Sequence, residues 1–173
     1  MISTFIIVLI MIAGLMQTLV YINYKHLKAK KMKQFLYLSE QGTKNDLSFS
    51  SQEMVGNKII GLDGIKRKLL LLDETDGQTH LHTIDLGEIE SCTIKKNYNG
   101  IYAGELKKRK IEEFINSIVL QFDFKNASRK PIILPFYDKA VNNAWEIKEL
   151  ETKARGWQTM LSKLLIKQHK KRA

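Results

Sequence analysis

His80 and His82 lie two residues apart, so on a strand they share one face. Two imidazoles placed this way suit a metal, but a zinc site needs at least a third ligand. Asp76, Asp85 and Glu88 are the nearby carboxylates, and no ligand spacing joins them to the pair. Asp73-Glu74-Thr75-Asp76-Gly77 has the acids of a calcium loop without its alternating ligands or its closing bidentate Glu, and reads as an acidic hairpin turn. Cys92 is the single cysteine, so no disulfide forms within the chain; its neighbours suggest a strand, where a free thiol acts as a small hydrophobe. Glu112-Glu113 and Glu149/Glu151 read as solvated charges. No Gly-rich phosphate cradle and no Ser/His/Asp or Cys/His arrangement can be assembled. The sequence therefore predicts no catalytic residue, no metal and no cofactor: a non-enzymatic protein.

Charge is the next candidate for function. The formal net charge is +10, and three runs free of acid carry it. The first is Lys25, Lys28, Lys30, Lys31 and Lys33. The second is Lys107, Lys108, Arg109 and Lys110. The third runs from Lys163 to Arg172. Outside these runs acidic residues outnumber basic ones, 18 against 14. A nucleic-acid domain more typically spreads its basic residues over one face with aromatics between them, so nucleic-acid binding ranks low. All three runs are candidate anionic-lipid contacts, worth about 1 kcal/mol per residue near a charged surface. In the alternative reading the lysines after the apolar segment only set topology.

That segment, Ile2 to Ile22, contains no charged residue and predicts a single transmembrane helix. A cleaved signal peptide would need a basic start and a small-x-small cleavage site, and neither is present. The lysines that follow predict an outside amino terminus and a cytoplasmic body. Residues 23–56 read as a juxtamembrane helical stalk ending near Gly42 and a linker; Tyr24, Leu27, Phe35 and Leu38 share one helical face. Ser50 and Glu53 form a candidate capping box in that linker.

From Asn57 the period changes to two. Lys58 to Asp63, Arg67 to Glu74, Thr79 to Leu86, Ser91 to Tyr98 and a weaker Ile101 to Leu106 read as strands, with Asp63-Gly64 as a hairpin signal. The apolar run Leu69 to Leu72 suits burial on both faces. Ile118, Leu120, Phe122 and Phe124 alternate inward, and Lys130 to Asp138 reads as an edge strand because Pro131 and Pro135 cannot donate. After Asp138, which can cap it, a stripe of Ala140, Ala144, Ile147, Leu150, Ala154, Trp157, Leu161 and Leu164 predicts a long amphipathic helix. Gly156 beside Trp157 reads as a point of close approach to the sheet. The fold class is α+β, with residues 57–168 as the body and 169–173 as a basic tail.

About seven strands followed by one long helix with a Trp resembles the pleckstrin-homology-like family. The resemblance implies a barrel of two antiparallel sheets capped at one end by the helix. In lipid-binding members of that family basic residues around the first hairpin hold a phosphoinositide headgroup, which implies Lys58, Lys66, Arg67 and Lys68 here. The family has an Arg where Lys68 stands, and Lys offers no bidentate fork to phosphate. The leading expectation is a membrane-anchored scaffold on the cytoplasmic face, offering a sheet edge (Lys130 to Asp138) or a helix face to a protein partner.

Overall fold

The computed structural model describes residues 2–56, 58–75, 78–100, 104 and 110–171; the side chains of 2–10, 13, 74–75, 78 and 166–171 fall outside that description. One long helix, α1 (Ile2–Lys44), leads into seven strands: β1 (Ser51–Val55), β2 (Lys58–Asp63), β3 (Lys68–Thr75), β4 (Gln78–Asp85), β5 (Ile89–Tyr98), β6 (Ile115–Phe124) and β7 (Ile132–Asp138). A second helix, α2 (Ile147–Lys171), follows. The strands divide into two antiparallel sheets, ordered β1-β2-β3-β4 and β5-β6-β7. The class is α+β, as composition and period imply. The expected closed barrel is not formed: among the described residues no ladder joins the two sheets.

The main core lies between the sheets and α2. Strand alternation supplies Ile60, Leu62, Leu69, Leu71 and Ile84 from the first sheet, and Cys92, Ile118, Leu120, Phe122, Leu134 and Phe136 from the second. Helix α2 contributes Leu150, Ala154, Trp157, Leu161 and Leu165, the 3-4 spacing of one apolar face. Trp157 is 3 % exposed.

A second, smaller core lies on the other side of the first sheet. Ile59, Leu70 and Leu72 point away from the main core and are covered by Leu38 and Phe35 of α1, with Leu47 and Phe49 from the loop after it. This is why Leu69 to Leu72 is an unbroken apolar run: alternate residues enter different cores. Phe49 locks the arrangement. A Cβ on Gly42 of α1 would lie 2.5 Å from the ring, and one on Gly61 of β2 would lie 2.8 Å from it. Glycine at both positions lets the ring sit between helix and strand.

Four expectations need correction here. Among the described residues no helix is long and apolar enough to cross a membrane. The side chains of Ile2 to Ile10 and of Ala13, within the expected span, lie outside that description. The single-pass anchor, outside amino terminus and cytoplasmic placement rested on that span and lose their support. Second, the linker contains β1 rather than a helical turn, and Glu53 is a strand residue opposite Ile60, not half of a capping box. Third, α2 starts at Ile147: Asn142 donates to the Asp138 carbonyl in a turn, and the Glu146 carboxylate caps the Asn143 N–H at 2.7 Å. Ala140 and Ala144 are consequently exposed. Fourth, a Cβ on Gly156 would meet open space, so close approach to the sheet does not explain it. The weak strand Ile101 to Leu106 falls mostly outside the described residues.

Candidate functional site

Helix α2 is tied to both sheets by charged groups, and a cleft opens beside one of these ties. On one side Trp157 Nε1 donates to Glu53 Oε2 of β1 at 2.6 Å, and Lys153 stands 3.7 Å from Glu53 Oε1. On the other, Lys96 of β5 donates to Glu151 Oε2 at 2.8 Å while Arg155 holds Oε1 at 2.6 Å. The bond from Lys96, with Arg155 adding to it, holds the Glu151 carboxyl below the usual carboxylate range. Gln158 Nε2 reaches the Cys92 carbonyl at 3.4 Å.

Beside Glu53 opens a cleft of about 530 Å³ walled by α1, β1 and the start of α2. Gln52, Glu53 and Met54 all line it. Consecutive strand residues point to opposite faces, so a cleft touching all three runs along the edge of β1. Strand β1 is one of the two edge strands of its sheet, β4 being the other. Phe35, Met54 and Leu150 give apolar surface, and Lys31, Glu146, Glu149 and Lys153 ring it with charge of both signs. Val141 (80 % exposed) and Trp145 (77 % exposed) flank Asn142 and Glu146 of the cleft wall. Neither apolar side chain contributes to either core.

No family model matches the chain, and neither a curated protein nor a solved structure does. The pleckstrin-homology-like resemblance thus finds no support in sequence or in fold.

The basic residues expected to bind anions separate into distinct environments. Lys58 pairs with Asp73, its partner across the β2–β3 ladder. Lys66 pairs with Asp46 at the opposite end of that hairpin. Arg67 occupies the left-handed turn position at φ 55°, and Lys68 faces Asp63 and Asp85 in its two ladders. Five residues of strand separate Lys58 from Asp63, about 17 Å, so Lys58, Lys66, Arg67 and Lys68 do not converge on one headgroup. Lys107, Lys108 and Arg109 lie outside the described residues; Lys110 is exposed. Lys25 and Lys28 are exposed along α1, and Lys31 turns to the β1 cleft. Lys30 and Lys33 face a different space, between α1 and the β3–β4 hairpin.

The edge strand expected to dock a partner is blunted. Pro135, opposite Val119 in the β6–β7 ladder, has no N–H to donate. With Pro131 before the strand, β7 carries proline both in and beside its ladder, as in natural protection of sheet edges. No group of three or more His, Cys, Asp or Glu able to hold a metal is present among the described residues. Burial pushes the Cys92 thiol up to about 12, with Asp123 adding to it, so at neutral pH it stays a thiol.

Sequence reasoning missed β1, Glu53 as partner of Trp157, and Trp145 as an exposed aromatic. The signal for the last was in the stripe itself: Trp145 falls between Ala144 and Ile147 and off their face. No signal marked Ser51 to Val55 as a strand, because its five residues hold two polar side chains and a Ser.

Proposed function

We propose that the protein is a non-enzymatic interaction module that receives an extended segment of a partner protein in the cleft along β1. Trp145 carries this reading. A Trp buries 150–250 Å² when covered, and leaving one in water beside a cleft with an open strand edge is the arrangement of a docking surface. A bound strand would add to β1 through backbone hydrogen bonds and set alternate side chains against Met54, Phe35 and Leu150. The β7 edge, with its prolines, is the poorer site.

The test places a photoreactive amino acid at position 145 of the full chain in its native host cells, and at Ile65 as control. Ile65 is 91 % exposed, on the hairpin turn away from the cleft. The expected result is one discrete protein adduct from position 145, lost when Gln52 in β1 is replaced by Pro and absent from position 65. The same adducts from both positions, or none from 145, would refute the reading.

A further inference from the structure

Asn99-Gly100 is the one Asn-Gly step in the chain. An Asn side chain is short enough to reach its own following backbone, and with Gly next no Cβ obstructs the approach. Strand β5 ends at Tyr98, and Asn99 and Gly100 lie exposed beyond it, outside any helix or strand. Asn99 gives its backbone N–H to the Phe114 carbonyl at 2.9 Å, which anchors it beside the start of β6. Among the described residues nothing hydrogen-bonds its side chain. A Cβ on Gly100 would meet nothing within 4 Å, so the space around the step is open.

Other candidates for the same chemistry are held. Asn97 donates to Ser117 Oγ at 2.8 Å across the ladder and is followed by the bulky Tyr98. Asn45 donates to the Gln41 carbonyl at 2.8 Å, and Asn126 and Asn142 accept backbone N–H groups at 3.0 Å each. Asp63-Gly64 has the glycine but not the freedom, since both Asp63 oxygens accept from backbone N–H groups of Ser48, Ile65 and Lys66. We infer that Asn99 is a site of spontaneous deamidation in the folded protein, with water as the co-reactant. The Gly100 nitrogen gives its proton to solvent base and attacks the Asn99 side-chain carbonyl carbon. The bond from that carbon to the side-chain nitrogen breaks, and ammonia leaves with a proton from water. Water then opens the resulting five-membered imide at one of its two carbonyls. One opening leaves an aspartate at position 99; the other leaves an isoaspartate, with the main chain running through the former side chain. Either product lowers the net charge of +10 by one. The altered bond follows the N–H held by Phe114, so the end of the β5–β6 ladder keeps its anchor. The inference stands independently of the β1 cleft.

Purified full-length protein is held at body temperature in mildly alkaline and in mildly acidic buffer. Isoelectric focusing follows the charge, and peptide mapping by mass spectrometry locates the change. The expected result is an acidic band that grows with time, faster in the alkaline buffer, with aspartate and isoaspartate both found at position 99. Asn97, on the same tryptic peptide, should stay intact. Gly100→Ala, which puts a methyl in the path of the attack, and Asn99→Gln, which would need a larger ring, should each lose the band. Both substitutions are on the surface, and an unchanged melting curve confirms that each variant folds. Equal change at Asn97 and Asn99 overturns the inference, as does an undiminished rate in Gly100→Ala. So does deamidation of Asn99 seen only in urea-unfolded protein, because the folded surface would then be protecting the step.

Discussion

The seating of α1 on the first sheet depends on one aromatic ring between two glycines, and this gives a prediction whose sign reverses with context. Replacing Gly42 by Ala puts a methyl 2.5 Å from Phe49 Cε2 and 2.7 Å from Cζ. On its other side the ring packs closely over the Gly61 backbone of β2, where an added Cβ would also meet it at 2.8 Å, so it has little room to retreat. Overpacking of this kind costs about 1–3 kcal/mol. Against that, Gly to Ala inside a helix gains about 1 kcal/mol. The net expected for Gly42→Ala is a loss of up to about 2 kcal/mol, the difference of those two terms. In a Phe49→Ala background the obstacle is gone, and the same substitution should stabilise by about 0.5–1 kcal/mol. The coupling between the two positions is then about 2 kcal/mol, well above the scatter of independent sites. Urea unfolding of the four proteins, followed by the fluorescence of buried Trp157, measures it. If Gly42→Ala stabilises the wild type, or shifts stability equally in both backgrounds, the clamp does not hold α1 in place.

Two further predictions concern stability. Asp63, 1 % exposed, accepts from the Ser48 N–H at 2.8 Å through one oxygen and from the Ile65 and Lys66 N–H groups at 2.9 and 2.8 Å through the other. Asp63→Asn turns an amide toward one of these donors and should cost about 2–3 kcal/mol by chemical denaturation. The Lys66 and Ser48 bonds hold its carboxyl below the usual range, so its stabilisation is complete above the unfolded value of about 3.9 and fades as pH falls through the lower folded value. Asp63→Asn should flatten that part of the pH profile, and an unchanged acid slope would refute the assignment. Gly156→Ala, on an exposed turn of α2 with open space at its Cβ, should raise stability by about 0.5–1 kcal/mol; a drop would mean that the helix surface there is covered.

Legibility in the sequence followed the strength of alternation. Ile118, Leu120, Phe122 and Phe124 were readable as core because every second residue is large and apolar, and all four are buried. Lys58 to Asp63 was readable from the turn signal that ends it, although the left-handed residue of that turn is Arg67 and the Asp63 carboxylate does the holding. The start of α2 was misplaced because Ala140 and Ala144 continue the helical spacing by chance; the local turn closed by Asn142 and Asp138 competes successfully for that backbone. Strand β1 could not be read at all, since its place is fixed by pairing with β2 and by the reach of Glu53 across 104 residues to Trp157. The same limit hides both clefts: Lys33 and Thr79, like Gln52 and Leu150, become neighbours only through tertiary packing.

The two clefts share α1 as a wall, and they share it through adjacent residues: Lys31 turns to the β1 cleft while Lys30 and Lys33 turn to the other. A helix can serve two sides this way only if its rotation about its own axis is fixed, because neighbouring residues differ by about 100° around it. The charged face does little to fix that angle, since exposed charge contacts are worth little energy. Phe35, Leu38 and Gly42 do more: at spacings of three and four they form one apolar stripe, and it meets Ile59, Leu70, Leu72 and the Phe49 ring. The stripe that buries α1 therefore also sets which lysine enters which cleft. Both clefts follow from the covering of the outer face of the first sheet, the feature that sets this fold apart from a sheet with one face left to solvent.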